Sequence, residues 1–310
     1  MKIGVFGRSE LLLDFINDFI DKYEIAFIVT GKASPEYKSD ENDYKKFAED
    51  NNIPFLITQS FNHVDYLKFI NQYSVGCDIA ISMNFPTIIP KEVIDLFALG
   101  ILNAHGGDLP RYKGNACQAW AILNKEEKIG LCIHKMTPEL DSGDIIERSY
   151  LPIDISTRIG EVYDWFETEI PSLFKKAIEK LEKNPSYILE KQSLDQGSSL
   201  RCYPRNPEDG RINWAQSAED ILRLINASSE PYSGAYCFYK NKKVIVWEAK
   251  LNKNYPPYLG VPGQVTHIDK NNKTLDIITG NGNVTLIRVE IENDAHSICD
   301  KIKSVRDRLK

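Results

Sequence analysis

The strongest limit on this chain's fold comes from short apolar runs that do not alternate. Lys2–Gly7, Glu24–Thr30 and Cys77–Met83 are each too short for a stable helix, and the last is almost unbroken in apolar character. Such runs suit strands covered on both faces, as parallel strands are. Between the first two, Leu11, Leu12, Phe15, Ile16, Phe19 and Ile20 recur at helical spacing. Strand, amphipathic helix and strand in succession predict a βαβ opening, hence a doubly wound, mostly parallel α/β sheet. The turn Gly4-Val5-Phe6-Gly7-Arg8-Ser9 lacks the G-x-G-x-x-G spacing of a dinucleotide site. Its helix N-terminal amides can still meet a phosphate beside Arg8, although Arg8 also reads as an exposed surface charge.

Further along, the pattern predicts helices over Asp43–Asn52, Val64–Tyr73, Ile94–Phe97, Ala116–Leu123 and Ile159–Leu181, with strands at Pro54–Thr58, Gly130–His134 and Ile145–Tyr150. Lys32–Asp43 reads as a polar linker. From Arg205 the character changes. After a short helix at Ala218–Asn226, alternating segments follow at Tyr236–Tyr239, Lys243–Ala249, Gly263–Ile268, Thr274–Thr279 and Asn283–Ile291, with a hairpin signal at Asn281-Gly282. Short strands at that spacing predict a small barrel or sandwich. A chain of 310 residues is long for one core. The expectation is a catalytic domain over 1–200 and a smaller β-rich domain over 201–310, with the linker in Gln192–Arg205.

The chemistry concentrates between Gly100 and Arg148. Gly100–His105 reads as a strand running into Gly106-Gly107, so Asn103 and His105 point to the same side. Pro138–Asp144 is a polar turn. An amide, an imidazole and a carboxylate are the parts acyl transfer needs: donors for a developing oxyanion, and groups that hold and relay protons. Each alone has a bland reading. Asn-x-His at a strand end is commonly a hydrogen-bonded loop pair, and Asp-Ser-Gly-Asp is commonly an Asx-type turn.

The complete string is more specific. Asn103-Ala104-His105, then Leu109-Pro110-Arg111-Tyr112-Lys113-Gly114, then Leu140-Asp141-Ser142-Gly143-Asp144-Ile145-Ile146, resembles the folate-dependent formyltransferases. Their pattern is roughly Asn-x-His-x-Ser-Leu-Leu-Pro-x-x-x-Gly followed by Leu-Asp-x-Gly-x-Ile. One departure is clear: Gly106-Gly107-Asp108 replaces x-Ser-Leu. The resemblance is greatest to sugar-nucleotide N-formyltransferases. The last third resembles the C-terminal domain of methionyl-tRNA formyltransferase, an open barrel of oligonucleotide-binding type. It implies Asn103, His105 and Asp141 as the catalytic set, with N10-formyltetrahydrofolate as formyl donor and no metal. Met83, Asn84, Phe85, Ile88 and Leu140 are implied at the folate, and Arg8, Lys113 and Gly114 at the acceptor.

Composition bears on the acceptor. The net charge is −6 and the pI near 5.5. Polynucleotide affinity comes largely from neutralising phosphates, so this balance argues against tRNA. Lys32–Asp43 is also short and richer in acids than bases, where methionyl-tRNA formyltransferases carry a longer basic loop. A nucleotide-linked 4-amino sugar, UDP- or dTDP-linked, is the expected acceptor, and methionyl-tRNA is the alternative. The six cysteines are scattered without metal-ligand spacing, as expected of free thiols in a reducing cytosol. No apolar run is long enough for a membrane span. The first residues lead straight into a strand, so no signal peptide is expected and the cytoplasm is the expected location. Exposed barrel edges predict a homodimer.

Overall fold

The apolar runs become the strands of one sheet because both of their faces are covered. In this computed structural model every residue of Ile79–Met83 is buried. The structure describes all residues except 36, 59–63, 193–196, 198, 254, 257, 258 and 295, and only the backbone of Val64. In chain order the elements are β1 (Lys2–Gly7), α1 (Glu10–Phe19), β2 (Glu24–Thr30), α2 (Glu41–Asp50), β3 (Phe55–Ile57), α3 (Val64–Tyr73), β4 (Ile79–Met83), α4 (Lys91–Ile94), β5 (Ile101–His105), β6 (Tyr112–Gly114), α5 (Cys117–Leu123), β7 (Lys128–Lys135), β8 (Ile145–Pro152), α6 (Ile159–Lys183), β9 (Leu200–Cys202), α7 (Ala218–Ser228), β10 (Ala235–Tyr239), β11 (Lys242–Asn252), β12 (Val265–Asp269), β13 (Thr274–Ile278), β14 (Asn283–Ile291) and α8 (Ile298–Lys301). They gather into two compact units. One comprises Met1–Gly114, Gly130–Tyr150 and Trp165–Cys202; the other comprises Asn115–Ile129, Leu151–Asp164 and Tyr203–Lys310.

The first unit is built on a seven-stranded sheet in the order β3-β2-β1-β4-β5-β7-β8. β1, β2, β3, β4 and β5 pair in parallel, and β7 runs antiparallel to β5. The strand order turns back between β1 and β4, and α/β proteins bind ligands beyond the carboxyl ends of the strands at such a point. The helices attach through their apolar stripes. Leu12, Phe15 and Ile16 of α1 are buried, and the Phe15 ring meets Phe174 of α6 at 5.1 Å between centroids. Tyr66 and Ile70 of α3 join Phe6, Phe27, Ala80, Phe97 and Ile101 in a second apolar layer.

The second unit carries a five-stranded antiparallel sheet in the order β10-β11-β14-β13-β12. Trp214, Ile221 and Ile225 pack with Val244, Val246, Ile277 and Leu286 in its core. The outer edges of β10 and β12 are bridged by the last residues. Lys310 exchanges backbone hydrogen bonds with Phe238 at 2.7 and 2.8 Å, Leu309 N–H donates to Gly263 O at 2.8 Å, and Val265 N–H donates to Asp307 O at 3.2 Å. Both edges therefore have partners within the chain. The Asn281-Gly282 tip lies in the connection from β13 to β14, as its hairpin signal predicts.

Two local expectations change. The helix expected at Ile94–Phe97 lies earlier, at Lys91–Ile94, where Pro90 supplies the extended residue before the first turn. The expected linker Gln192–Arg205 holds β9, which pairs in parallel with the distant β6; the rest of that stretch lies partly outside the described residues. Among the described residues, no helix is long and apolar enough to cross a membrane.

Candidate active site

β5 and β7 set the geometry. Across their antiparallel ladder Asn103 lies opposite His134, and His105 opposite Cys132. His134 is 2% exposed. Its Nδ1 sits 2.9 Å from Lys135 O. A carbonyl only accepts, so Nδ1 carries the hydrogen. Burial pushes the His134 imidazole down to about 4, against the pull of Asp141, so the ring is neutral at neutral pH. Its Nε2 is then an acceptor, and Asn103 Nδ2 donates to it at 3.2 Å. This fixes the Asn103 amide: its NH2 faces His134, and one N–H is left over.

His105 is also buried. Its Nε2 donates to Tyr112 O at 2.7 Å, and its Nδ1 lies 3.6 Å from Asp141 Oδ2. Asp141 Oδ1 is 3.8 Å from His134 Nε2, and Oδ2 accepts Gly114 N–H at 2.8 Å. Burial alone would raise the Asp141 carboxyl. His105, His134, the Gly114 N–H and Arg201 outweigh it and hold the group below the usual carboxylate range. Asp141 is therefore ionised at neutral pH.

The turn around Asp141 is over-determined. Asp141 has φ 47°, a left-handed conformation that Asp tolerates better than most residues. A Cβ on Gly143 would lie 1.8 Å from Lys135 O, so only glycine fits there. Gln192 Nε2 donates to both Asp141 O, at 3.0 Å, and Gly143 O, at 2.7 Å.

The structure brings Lys113 and Gly114 to this group. Lys113 Nζ donates to Ser142 Oγ at 3.0 Å, and Lys113 stands opposite Arg201 across β6 and β9. Leu140 adjoins Asp141 with its side chain exposed. The other expected residues lie after β4. Met83 is buried, Asn84 is left-handed at φ 53°, and Phe85 packs edge-on against Phe6 at 5.8 Å. Ile88 is 75% exposed. Arg8 ties the turn after β1 to two other loops: Nε donates to Asn84 O at 2.8 Å and Nη1 to Lys32 O at 2.5 Å, with the guanidinium 5.5 Å over the Tyr37 ring. Its hydrogen bonds go to backbone carbonyls rather than to the Asn103–Asp141 group.

Sequence reasoning missed His134, Gln192 and Arg201. His134 had a signal, a histidine directly after the apolar run Ile129–Ile133 in the strand beside the motif strand. Gln192 and Arg201 had none, because they reach the site from far along the chain.

Residues 1–178 match the family described as Formyl transferase, and residues 205–302 match Formyl transferase, C-terminal domain. The chain belongs to the formyl transferase family. It is a formyltransferase, an enzyme that moves a one-carbon group. The methionyl-tRNA formyltransferase of Akkermansia muciniphila is 27% identical over 318 residues, covering 100% of this chain and 98% of that one. The structure of WlaRD, a sugar 3N-formyl transferase, superposes with a TM-score of 0.67 at 21% identity, over 95% of this chain and 98% of that chain. HypX of Aquifex aeolicus gives 0.60 at 18% identity, over 94% of this chain. This formyltransferase spans only 44% of the HypX chain. At these identities the two structures share its fold.

Proposed function

We propose that this formyltransferase moves the formyl group of N10-formyltetrahydrofolate onto the primary amine of a nucleotide-linked 4-amino-deoxy sugar, UDP- or dTDP-linked, for surface-glycan synthesis. The observation that carries formyl transfer is the meeting of Asn103, His105 and ionised Asp141 at the ends of β5 and the β7–β8 turn. The folate supplies the formyl carbon that the neutral amine attacks. As charge develops on the formyl oxygen, the remaining N–H of Asn103 donates to it, and a hydrogen on Nδ1 of His105 donates as well, since Nε2–H is held by Tyr112 O and Nδ1 lies 3.6 Å from Asp141 Oδ2. Removing one such donor typically costs about 100- to 1000-fold in rate. Asp141 lies beside the imidazole Nδ1 and passes the proton lost by the amine to N10 of the folate, as the bond from the formyl carbon to N10 breaks and tetrahydrofolate leaves. The scheme uses no metal.

Folate as donor draws support from relatives. The WlaRD structure was determined in the presence of dTDP and 5-N-formyl-THF, and that of HypX in complex with tetrahydrofolic acid. Ile88 and Leu140 leave apolar side chains in solvent, at 75% and 42% exposure, which a pteridine would cover. In this reading Met83, Asn84 and Phe85 line the same pocket, chiefly through backbone. Lys113 and Gly114 contact the acceptor, while Arg8 acts there by holding the surrounding loops together.

A small acceptor is favoured by the loop between β2 and α2. It is tied down on acidic side chains: Ala33 N–H donates to Glu41 Oε2 at 3.1 Å and Lys38 N–H to Glu10 Oε2 at 3.0 Å. Its described residues make no basic arm for a polynucleotide. The whole-length match to a methionyl-tRNA formyltransferase supports the second reading, with tRNA as acceptor. In either case residues 1–200 are the catalytic domain, residues 201–310 an accessory one, and the enzyme acts in the cytoplasm; as a homodimer it would have to pair away from the β10 and β12 edges, which the last residues cover. The test is spectroscopic release of tetrahydrofolate from N10-formyltetrahydrofolate against UDP- and dTDP-linked 3- and 4-amino sugars, with initiator methionyl-tRNA in parallel. Turnover with a 4-amino sugar alone supports the proposal. Turnover with the tRNA alone overturns it, and turnover with a 3-amino sugar alone corrects the position of the amine.

A further inference from the structure

The turn after His105 lacks the side chains with which the family pattern fills it. Gly106-Gly107-Asp108 stands in place of x-Ser-Leu. Asp108 instead faces a polar strut. Tyr150 OH donates to Asp108 Oδ1 at 3.0 Å, and Arg148 Nη1 donates to Tyr150 OH at 3.2 Å. Arg148 Nη2 donates to Leu109 O at 2.7 Å, and Leu109 packs with Cys132 and Ile145. Asp108 itself rests on β7, where a Cβ on Gly130 would lie 2.6 Å from Asp108 Cα. The turn then closes through Tyr112 N–H to Asp108 O at 2.9 Å, and Tyr112 O receives His105 Nε2–H at 2.7 Å. His105 thus donates to a carbonyl of the turn that Tyr150 and Arg148 brace at Asp108 and Leu109, a turn that β9 also holds through its pairing with β6.

The same arginine reaches the other half of the site. Arg148 Nη1 pairs with Glu190 Oε2 at 3.0 Å. The backbone of Glu190 is bonded in both directions to Ile145, at 2.9 and 3.1 Å. Two residues later, Gln192 holds the carbonyls of Asp141 and Gly143. One guanidinium therefore links the turn that orients His105 to the segment that pins Asp141. Its side chain is 15% exposed while that of Glu190 is 45% exposed, so the guanidinium is the shielded end of the link.

We propose that Arg148 and Tyr150 are positioning residues for formyl transfer: by tying the Asp108–Tyr112 turn to the Glu190–Gln192 segment, they set the approach of His105 to Asp141. This rests on the roles given above to His105 and Asp141. The strut replaces the apolar anchor that the family pattern supplies, and it acts through His105 without touching either substrate.

Two readouts on the full chain test it. Imidazole 15N–1H spectra follow the hydrogen on His105 Nε2, whose bond to Tyr112 O makes it slow to exchange with water. Tyr150→Phe deletes only the hydroxyl of a partly exposed ring and should fold. It and Arg148→Lys should each speed that exchange at least ~10-fold, the scale of one lost hydrogen bond, while the Nδ1–H of His134 stays protected. The second readout is turnover with N10-formyltetrahydrofolate and dTDP-4-amino-4,6-dideoxyglucose. For Tyr150→Phe, kcat should fall about five-fold with KM for the folate within about two-fold of wild type; Arg148→Gln should fall further, and Arg148→Lys should recover part of the difference. Unchanged His105 exchange in Tyr150→Phe overturns the proposal even if Arg148 variants fail to fold. So does a loss that appears only in KM. If the wild type does not turn over this sugar, the acceptor assignment fails, and the exchange readout alone decides the role of the strut.

Discussion

Replacing His134 with leucine should lower stability at neutral pH and at the same time remove a weakness in acid. The wild-type ring donates one hydrogen bond to Lys135 O, at 2.9 Å, and accepts one from Asn103, at 3.2 Å. Leucine fills a similar volume and makes neither. At about 1 kcal/mol net for each bond, His134→Leu should be about 2 kcal/mol less stable near about pH 7.5. The pH dependence follows from burial, which lowers the folded imidazole from 6.5 to about 4. Between those values the unfolded chain binds a proton that the folded chain does not, so falling pH favours unfolding. At about 1.36 kcal/mol per pH unit, the wild type loses up to about 3 kcal/mol across the window. The variant has no such proton to bind. The two stabilities should converge near about pH 5. Urea unfolding followed by circular dichroism at a series of pH values measures this directly. Parallel loss of stability in both proteins would refute a neutral, buried His134 and, with it, the argument that fixes the Asn103 amide.

Three further substitutions probe the same site. His105→Asn should keep the fold and lower turnover at least ~100-fold, the scale of a lost oxyanion donor; a rate within a few-fold of wild type would remove His105 from the mechanism. Gly143→Ala should displace the Asp141 turn, because the new methyl meets Lys135 O at 1.8 Å. Activity and melting temperature should both fall, and a wild-type melting curve would show that the backbone gives way without penalty. Gln192→Leu strips a hydrogen bond from each of the Asp141 and Gly143 carbonyls. Turnover should drop about ten-fold, about 1.4 kcal/mol in the barrier, with a loss of stability of about 2 kcal/mol, read by steady-state kinetics alongside urea unfolding; an unchanged kcat would make Gln192 a structural residue only.

Much of the architecture was legible because the sheet advertises itself. An unbroken run such as Ile79–Met83 has nowhere to go but between two layers, and the Leu11–Ile20 stripe matches α1 to within a residue at each end. Asn103 and His105 were legible as a pair because side chains two apart on a strand share a face. What could not be read were partnerships across the chain. β9 is three residues with no period to detect, and it is a strand only because β6 lies beside it. The link from Gln192 to the Asp141 turn crosses 51 residues of sequence. Arg8 reads from the sequence as an anion contact or a surface charge; its Nε and Nη1 go to the carbonyls of Asn84 and Lys32, which no local pattern announces.

The most direct test of the central claim follows the formyl carbon itself. The enzyme is incubated with N10-formyltetrahydrofolate carrying a 13C-formyl group and with dTDP-4-amino-4,6-dideoxyglucose, and 13C NMR follows the label. The account predicts that a formamide signal appears on the sugar at the rate the folate signal disappears, and that neither change occurs with Asp141→Asn. A label that stays on the folate, leaves as free formate, or reaches the sugar equally fast in Asp141→Asn would contradict it.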